Sequence, residues 1–196
     1  AFDHGVASIA VDGLQRYYES NSEVNLEIEK EEFEDLKYEW FGACFEDEQR
    51  YNEHLSAIQK LATLYNSHSV RMLLLKGYGL SLNYPIPEHR NFGDIDIYLY
   101  GLGEFGDQIV QKNLGCEVKQ NENKHSIFHI DGITVENHAC FVYDPVYPSL
   151  KVLNDFLIEE SLKSKECQIG NTLVLLPSVM FNALFLPFHC ACHFFR

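Results

Sequence analysis

The chain has 196 residues, enough to bury a good core as one domain or a domain with a helical attachment. Its formal net charge of −14, from 29 acidic against 15 basic residues, argues against tight non-specific binding to nucleic acid, which needs clustered Lys and Arg. With 46% hydrophobic and 22% charged residues the composition is that of a soluble globular protein.

Hydrophobic periodicity predicts a helix over 6–20, then a polar break from Ser22 or Asn25. Residues 29–66 are strongly helical, as one helix or two, with Phe33, Leu36, Trp40, Leu55, Ile58, Leu61 and Leu64 as the apolar stripe. Much of the acidic charge falls within 27–48 and reads as a solvated helix face. A strand is expected over 70–76, a short helix over 78–83, a strand over 94–100, a short helix over 107–113 and an edge strand over 116–120. A hairpin follows around Asp131-Gly132, then a helix over 150–163, a strand or small hairpin over 168–176 around Gly170-Asn171, and a helix from Ser178 onward. The 6 cysteines are scattered, as free thiols of a reducing cytoplasm are. The chain opens at Ala1 with no Met and no apolar leader, and stops abruptly at Arg196, the pattern of a trimmed or fragmentary chain.

The most informative stretch lies within 72–99. An apolar run ends in Lys76-Gly77, and a second apolar run carries Asp94-Ile95-Asp96. Carboxylates two residues apart on a strand share one face, while Ile95, Ile97 and Leu99 point the other way, into a core. Like charges side by side cost energy unless a cation neutralises them, and hard carboxylate oxygens suit Mg2+ or Mn2+. Asp is also a poor strand former, which disfavours two aspartates on a merely exposed face.

The Leu75-Lys76-Gly77 turn and the Arg90-x-x-Gly93-Asp94-x-Asp96 segment resemble the nucleotidyltransferase superfamily of DNA polymerase β-like fold. Within it they are most similar to an uncharacterised bacterial family with a Leu-Lys-Gly and Arg-x-x-Gly-Asp-x-Asp motif. Tyr78 stands where the general superfamily pattern has Gly or Ser, and the loop to Asp94 is long, with Pro85 and Pro87. The resemblance implies an α/β (α+β) fold: a mixed sheet flanked by helices, here with an N-terminal helical segment. It also implies a third carboxylate from a later strand. A two-residue turn at Asp131-Gly132 pairs Ile130 with Ile133, Ile127 with Glu136 and His125 with His138. Thr134, Glu136 and His138 then share one face and Ile133, Val135 and Ala139 the other. Glu136 is therefore the expected third ligand, with Asp131 a weaker competitor in the turn.

The site expected from these residues has Asp94, Asp96 and Glu136 as catalytic metal ligands for Mg2+ or Mn2+, and Lys76, Gly77, Arg90 and Gly93 as nucleotide contacts. Gly77 lets the backbone approach phosphates closely, and the short helix after it aims amide groups at them. Arg90 suits bidentate phosphate binding. For Lys76 a phosphate contact and an ordinary surface charge stand equal. Asp96 or Glu136 is the natural general base. The Gly101-x-Gly-x-x-Gly106 run matches a dinucleotide fingerprint formally, but its short following helix and acidic preceding strand read as a flexible loop instead. The segment from Ser178 to Phe195 reaches the lower limit for a membrane span, but Asn182, Pro187, His189 and His193 favour a buried helix. Packed or hydrogen-bonded histidines near the site are the preferred reading of His189 and His193, ahead of a metal site with Cys192 or another ligand; the same preference applies to His125, His129 and His138, whose alternative is to line the pocket as phosphate or acceptor contacts.

The expected organisation is an N-terminal helical segment over 1–68, a nucleotidyltransferase-like core over 69–148 and a C-terminal helix–strand–helix segment over 149–196. The expected activity is metal-dependent transfer of an NMP from an NTP to a hydroxyl of a small-molecule or protein acceptor, in the cytoplasm, with no membrane partner. The alternative is a catalytically inactive nucleotide-binding or interaction module of the same fold, a toxin–antitoxin or biosynthetic-cluster partner.

Overall fold

The computed structural model describes residues 6–20, 30–121, 124–142 and 150–194. The chain divides into two compact units, one formed by Ala1–His54 and Leu80–Phe92, the other by Leu55–Gly79 and Gly93–Arg196.

The first unit contains α1 (Ala7–Ser20), the start of α2 (Lys30–Ser67) and a 3-10 turn, Pro87–His89. Polar contacts tie these pieces together. Ser8 Oγ donates to Asp47 Oδ2 at 2.6 Å, and Asn91 Nδ2 donates to Asp47 Oδ1 at 2.9 Å. His89 lies between two acids, with Nδ1 2.7 Å from Asp12 Oδ1 and Nε2 3.2 Å from Glu48 Oε1. Phe92 meets Tyr51 and His54 edge-on. The region expected as one helix or two is a single helix, α2.

The second unit is a mixed sheet flanked by helices. Its strands are β1 (Leu73–Leu74), β2 (Ile95–Tyr98), β3 (Lys119–Asn121), β4 (His125–Ile130), β5 (Ile133–His138), β6 (Lys165–Ile169) and β7 (Thr172–Leu176), in the spatial order β3-β4-β5-β2-β1-β7-β6. β2 runs antiparallel to β1 and parallel to β5, and β1 runs parallel to β7. Successive strand residues face opposite sides, so Ile95, Ile97, Val135 and Asn137 lie on one face and Asp96, Tyr98, Glu136 and His138 on the other.

On the first face sits α4 (Gly103–Leu114), closed by Gly115 in a left-handed cap. Its Asp107 is buried and accepts from Ser126 Oγ at 2.7 Å, Asn137 Nδ2 at 2.8 Å and Gln120 Nε2 at 3.1 Å, one donor each from β4, β5 and β3. The second face packs on α5 (Leu150–Ser161) and α6 (Val179–Phe194) through a cluster of Leu73, Tyr98, Phe141, Leu157, Phe181 and Phe185. Ser178 caps α6, its Oγ accepting from Phe181 N at 3.0 Å.

Several expectations are corrected. The strand expected over 70–76 contracts to Leu73–Leu74, because Lys76 takes a left-handed φ of 31° and starts α3 (Lys76–Ser81). The strand expected over 94–100 is Ile95–Tyr98, which leaves Asp94 just before it. The glycine run is not a flexible loop: Gly103 and Gly106 lie inside the 12-residue α4. A Cβ on Gly106 would stand 2.1 Å from Leu99 Cδ1, so this glycine allows close helix–strand packing. The C-terminal helix is buried on one side only, at Phe181 and Phe185, whereas Val179 is 85% exposed. Among the described residues no helix is long and apolar enough to cross a membrane.

Candidate active site

The hairpin register sets up the site. The turn at Asp131-Gly132 has positive φ at both residues, 52° and 85°, as a two-residue turn of this twist requires. Ile130 pairs with Ile133, Ile127 with Glu136 and His125 with His138, as the turn residues predict. Parallel pairing of β5 with β2 then sets Glu136 beside Asp96 and His138 beside Tyr98.

Asp96 is the centre of the cluster. Its side chain is 0% exposed. Oδ1 accepts from Lys76 Nζ at 2.7 Å and from His138 Nε2 at 2.9 Å, while Oδ2 is buried with no partner. Burial alone would raise the Asp96 pKa. The His138 hydrogen bond and the Lys76 charge outweigh it and hold the carboxyl below the ordinary range. Glu136 behaves oppositely. Burial first, and then the Asp96 charge, push its pKa up despite the opposing effects of His138 and Lys76. Its Oε2 lies 3.6 Å from His138 Nε2 and its Oε1 3.7 Å from His125 Nε2. His125 is pushed down to about 4 by burial and by its neighbour His138, so it is neutral at pH 7.

Lys76 is not an ordinary surface charge. Its side chain is 12% exposed, and besides Asp96 its Nζ lies 3.2 Å from His189 Nε2 on α6. The His189 ring in turn packs against Phe185, with centroids 5.7 Å apart. The preferred reading of His189, a packed and hydrogen-bonded histidine beside the site, agrees with this geometry. The His193 side chain lies outside the described residues. Gly77 follows Lys76 with φ 27° and ψ −114°, a combination that a side chain would strain.

The expected site residues are thus distributed as follows. Asp96, Glu136 and Lys76 come together within the second unit. Asp94 is partly buried and close enough to Glu136 for its charge to raise that pKa. Gly93 is exposed at the start of the same unit's second segment. Arg90 belongs to the first unit, where its guanidinium lies 5.9 Å from the Tyr84 ring centre. His138 was legible only as a possible pocket residue. The hairpin register was the signal that puts it on the Glu136 face. No local sequence signal points to the Lys76–His189 contact, because it joins segments far apart in the chain.

The donor set fits a divalent cation. Asp96, Glu136 and His138 each offer a ligand atom, all within 4.8 Å of one another. The unpartnered Oδ2 of Asp96 gives a buried anion a further site to satisfy.

Residues 1–196 match the family described as "Uncharacterised nucleotidyltransferase". No match among curated proteins accompanies it. Among solved structures, the chain is similar to a nucleotidyltransferase-described protein of Thermotoga maritima at 14% identity and a TM-score of 0.49, over 71% of this chain and 87% of that one. It is also similar to ANT(2")-Ia, crystallised with adenylyl-2"-tobramycin, at 16% identity and a TM-score of 0.44, over 64% of this chain and 70% of that one. The family assignment rests on the family match over residues 1–196.

Proposed function

The chain belongs to the uncharacterised nucleotidyltransferase family, whose chemistry is nucleotidyl transfer, and from that premise we propose that it moves an NMP from an NTP to an acceptor hydroxyl with the help of a divalent cation. The observation that supports this reading is the in-register pairing of Asp96 with Glu136 across β2 and β5, with Asp96 Oδ2 unpartnered.

Asp94, Asp96 and Glu136 are the residues proposed to hold Mg2+ or Mn2+. When bound, such an ion supplies charge neutralisation to the phosphates and the departing pyrophosphate. The remaining roles fall to the chain itself. Asp96 stays ionised, and it is the carboxylate suited to permanent ligation. Glu136 has the raised pKa, so it is the stronger proton acceptor and the better general base for the acceptor hydroxyl. The Lys76 ammonium is a donor for an anionic phosphate once it leaves Asp96. Gly77 keeps that turn free of a side chain. Gly93 is the further proposed nucleotide contact in this unit, while Arg90, the other expected contact, belongs to the first unit. The net charge of −14 favours a small molecule or a protein as acceptor over a long polynucleotide.

A second reading has one observation in its favour. Lys76 already neutralises Asp96 at 2.7 Å, as the counterion of a catalytically inactive nucleotide-binding module would. Calorimetric titration of the four NTPs, with and without Mg2+ or Mn2+, separates the two. Metal-dependent binding that is lost in Asp94→Asn supports the transferase. Binding indifferent to metal supports the inactive module, and no binding at all defeats both.

A further inference from the structure

We propose that His138 is itself a metal-ligating residue, so that Asp96, Glu136 and His138 form a mixed oxygen–nitrogen site that takes Mn2+ in preference to Mg2+. The inference rests on the metal-dependent reading above and adds a residue that the paired-carboxylate motif does not contain.

Distance carries the first part of the argument. His138 Nε2 lies 2.9 Å from Asp96 Oδ1 and 3.6 Å from Glu136 Oε2. Donors about 2.1 Å from one ion, at octahedral to tetrahedral angles, stand roughly 3.0–3.4 Å from each other. The two separations bracket that range, and the three ligand atoms all lie within 4.8 Å of one another, so the cluster can close on one small ion.

Burial carries the second part. Asp96 Oδ2 is buried and without a partner. Buried polar atoms left unpaired are uncommon and call for an explanation. Ligation through Nε2 moves the ring proton to Nδ1 and leaves the imidazole neutral. Asp96 then turns an oxygen to the ion in place of its two present donors. Lys76 is not stranded by this, because it keeps its contact with His189 Nε2.

Chemistry fixes the preference. Mg2+ demands near-ideal octahedral oxygen coordination and keeps its waters, whereas imidazole nitrogen suits the first-row transition ions. A nitrogen beside the carboxylates therefore tilts the site away from Mg2+ and toward a transition ion, with Mn2+ as the probe. A histidine that only held Asp96 in place by hydrogen bonding would give no such tilt and would leave no nitrogen on the metal.

Pulsed EPR of the full chain loaded with one equivalent of Mn2+ tests the proposal directly. A 14N coupling of a coordinated imidazole is expected in the wild type and is expected to vanish in His138→Gln. Calorimetry should show tighter binding of Mn2+ than Mg2+, and His138→Gln should weaken Mn2+ by at least the roughly tenfold that loss of an outer-sphere partner costs. Bound Mn2+ without nitrogen coupling, or coupling that survives in His138→Gln, overturns the role of His138 and leaves the metal-dependent reading standing. Failure of the wild type to bind either cation overturns both.

Discussion

Asp96 and Glu136 stand directly opposite each other on adjacent parallel strands, on the sheet face that packs against α5 and α6. Two like charges in that position are destabilising unless offset. The offset is supplied by Lys76 and His138, both of which donate to one oxygen of Asp96. The charge of Asp96 is therefore balanced within the site, whereas burial and the Asp96 charge raise the pKa of Glu136.

Lys76→Met follows from that balance. It leaves Asp96 buried with His138 as its remaining donor, and removing one partner of a buried ion pair costs about 3 kcal/mol. Urea unfolding without added divalent cation should show that loss. Added Mn2+ should recover much of it, since binding to the folded state stabilises by mass action. An unchanged urea midpoint would mean that the ion pair does not hold the site together.

Asp107→Ala should destabilise the second unit by about 3 kcal/mol, because it strands the buried Ser126 hydroxyl, leaves Asn137 Nδ2 with Gly103 O alone and frees Gln120. Asp107→Asn, which keeps one acceptor oxygen, should cost less. Equal losses for the two variants in chemical denaturation would show that the carboxylate's bonds are not what matters.

Gly106→Ala places a methyl group 2.1 Å from Leu99 Cδ1, inside a buried contact. Overpacking of this kind costs about 1–3 kcal/mol. Shortening the neighbour in Gly106→Ala/Leu99→Ala should relieve the clash, so the two changes should be non-additive in a double-mutant cycle.

His89 gives the first unit a pH dependence. Burial alone would lower its pKa, but the hydrogen bonds to Glu48 and Asp12 outweigh burial and raise it above 6.5. A raised pKa in the folded state means that the stabilising contribution is fully present below 6.5 and is lost as pH rises through the folded value. Thermal unfolding should therefore move to lower temperature between pH 6 and pH 9, and His89→Gln should flatten that slope. A slope identical in the variant would place the dependence elsewhere.

The sequence made the hairpin legible down to its register, because Asp131-Gly132 is a local signal and the alternation on either side is strict. Glu136 and its facing residues followed from that turn alone. Asp96 was legible from its motif, and α6 was legible as a helix. What lay beyond reach was non-local. The left-handed Lys76, its bonds to Asp96 and His189, and the addition of β6 and β7 beyond β1 all depend on segments that meet only in the folded chain. Asp94 was expected inside a strand because its neighbours alternate, but the ladder starts at Ile95. The glycine run misled for a different reason: the small residues serve packing against Leu99, and a pattern of glycines does not distinguish packing from looseness.

The two-residue β1 has a consequence for how the sheet comes apart. The β6–β7 hairpin joins the other strands through one ladder pair, Leu73 with Leu175, and the neighbouring bond from Leu175 N to Met72 O at 2.9 Å. So narrow a waist gives little cooperativity between the two sides. Amide exchange along β6 and β7 should report a sub-global opening of their own, well below the protection of β4 and β5.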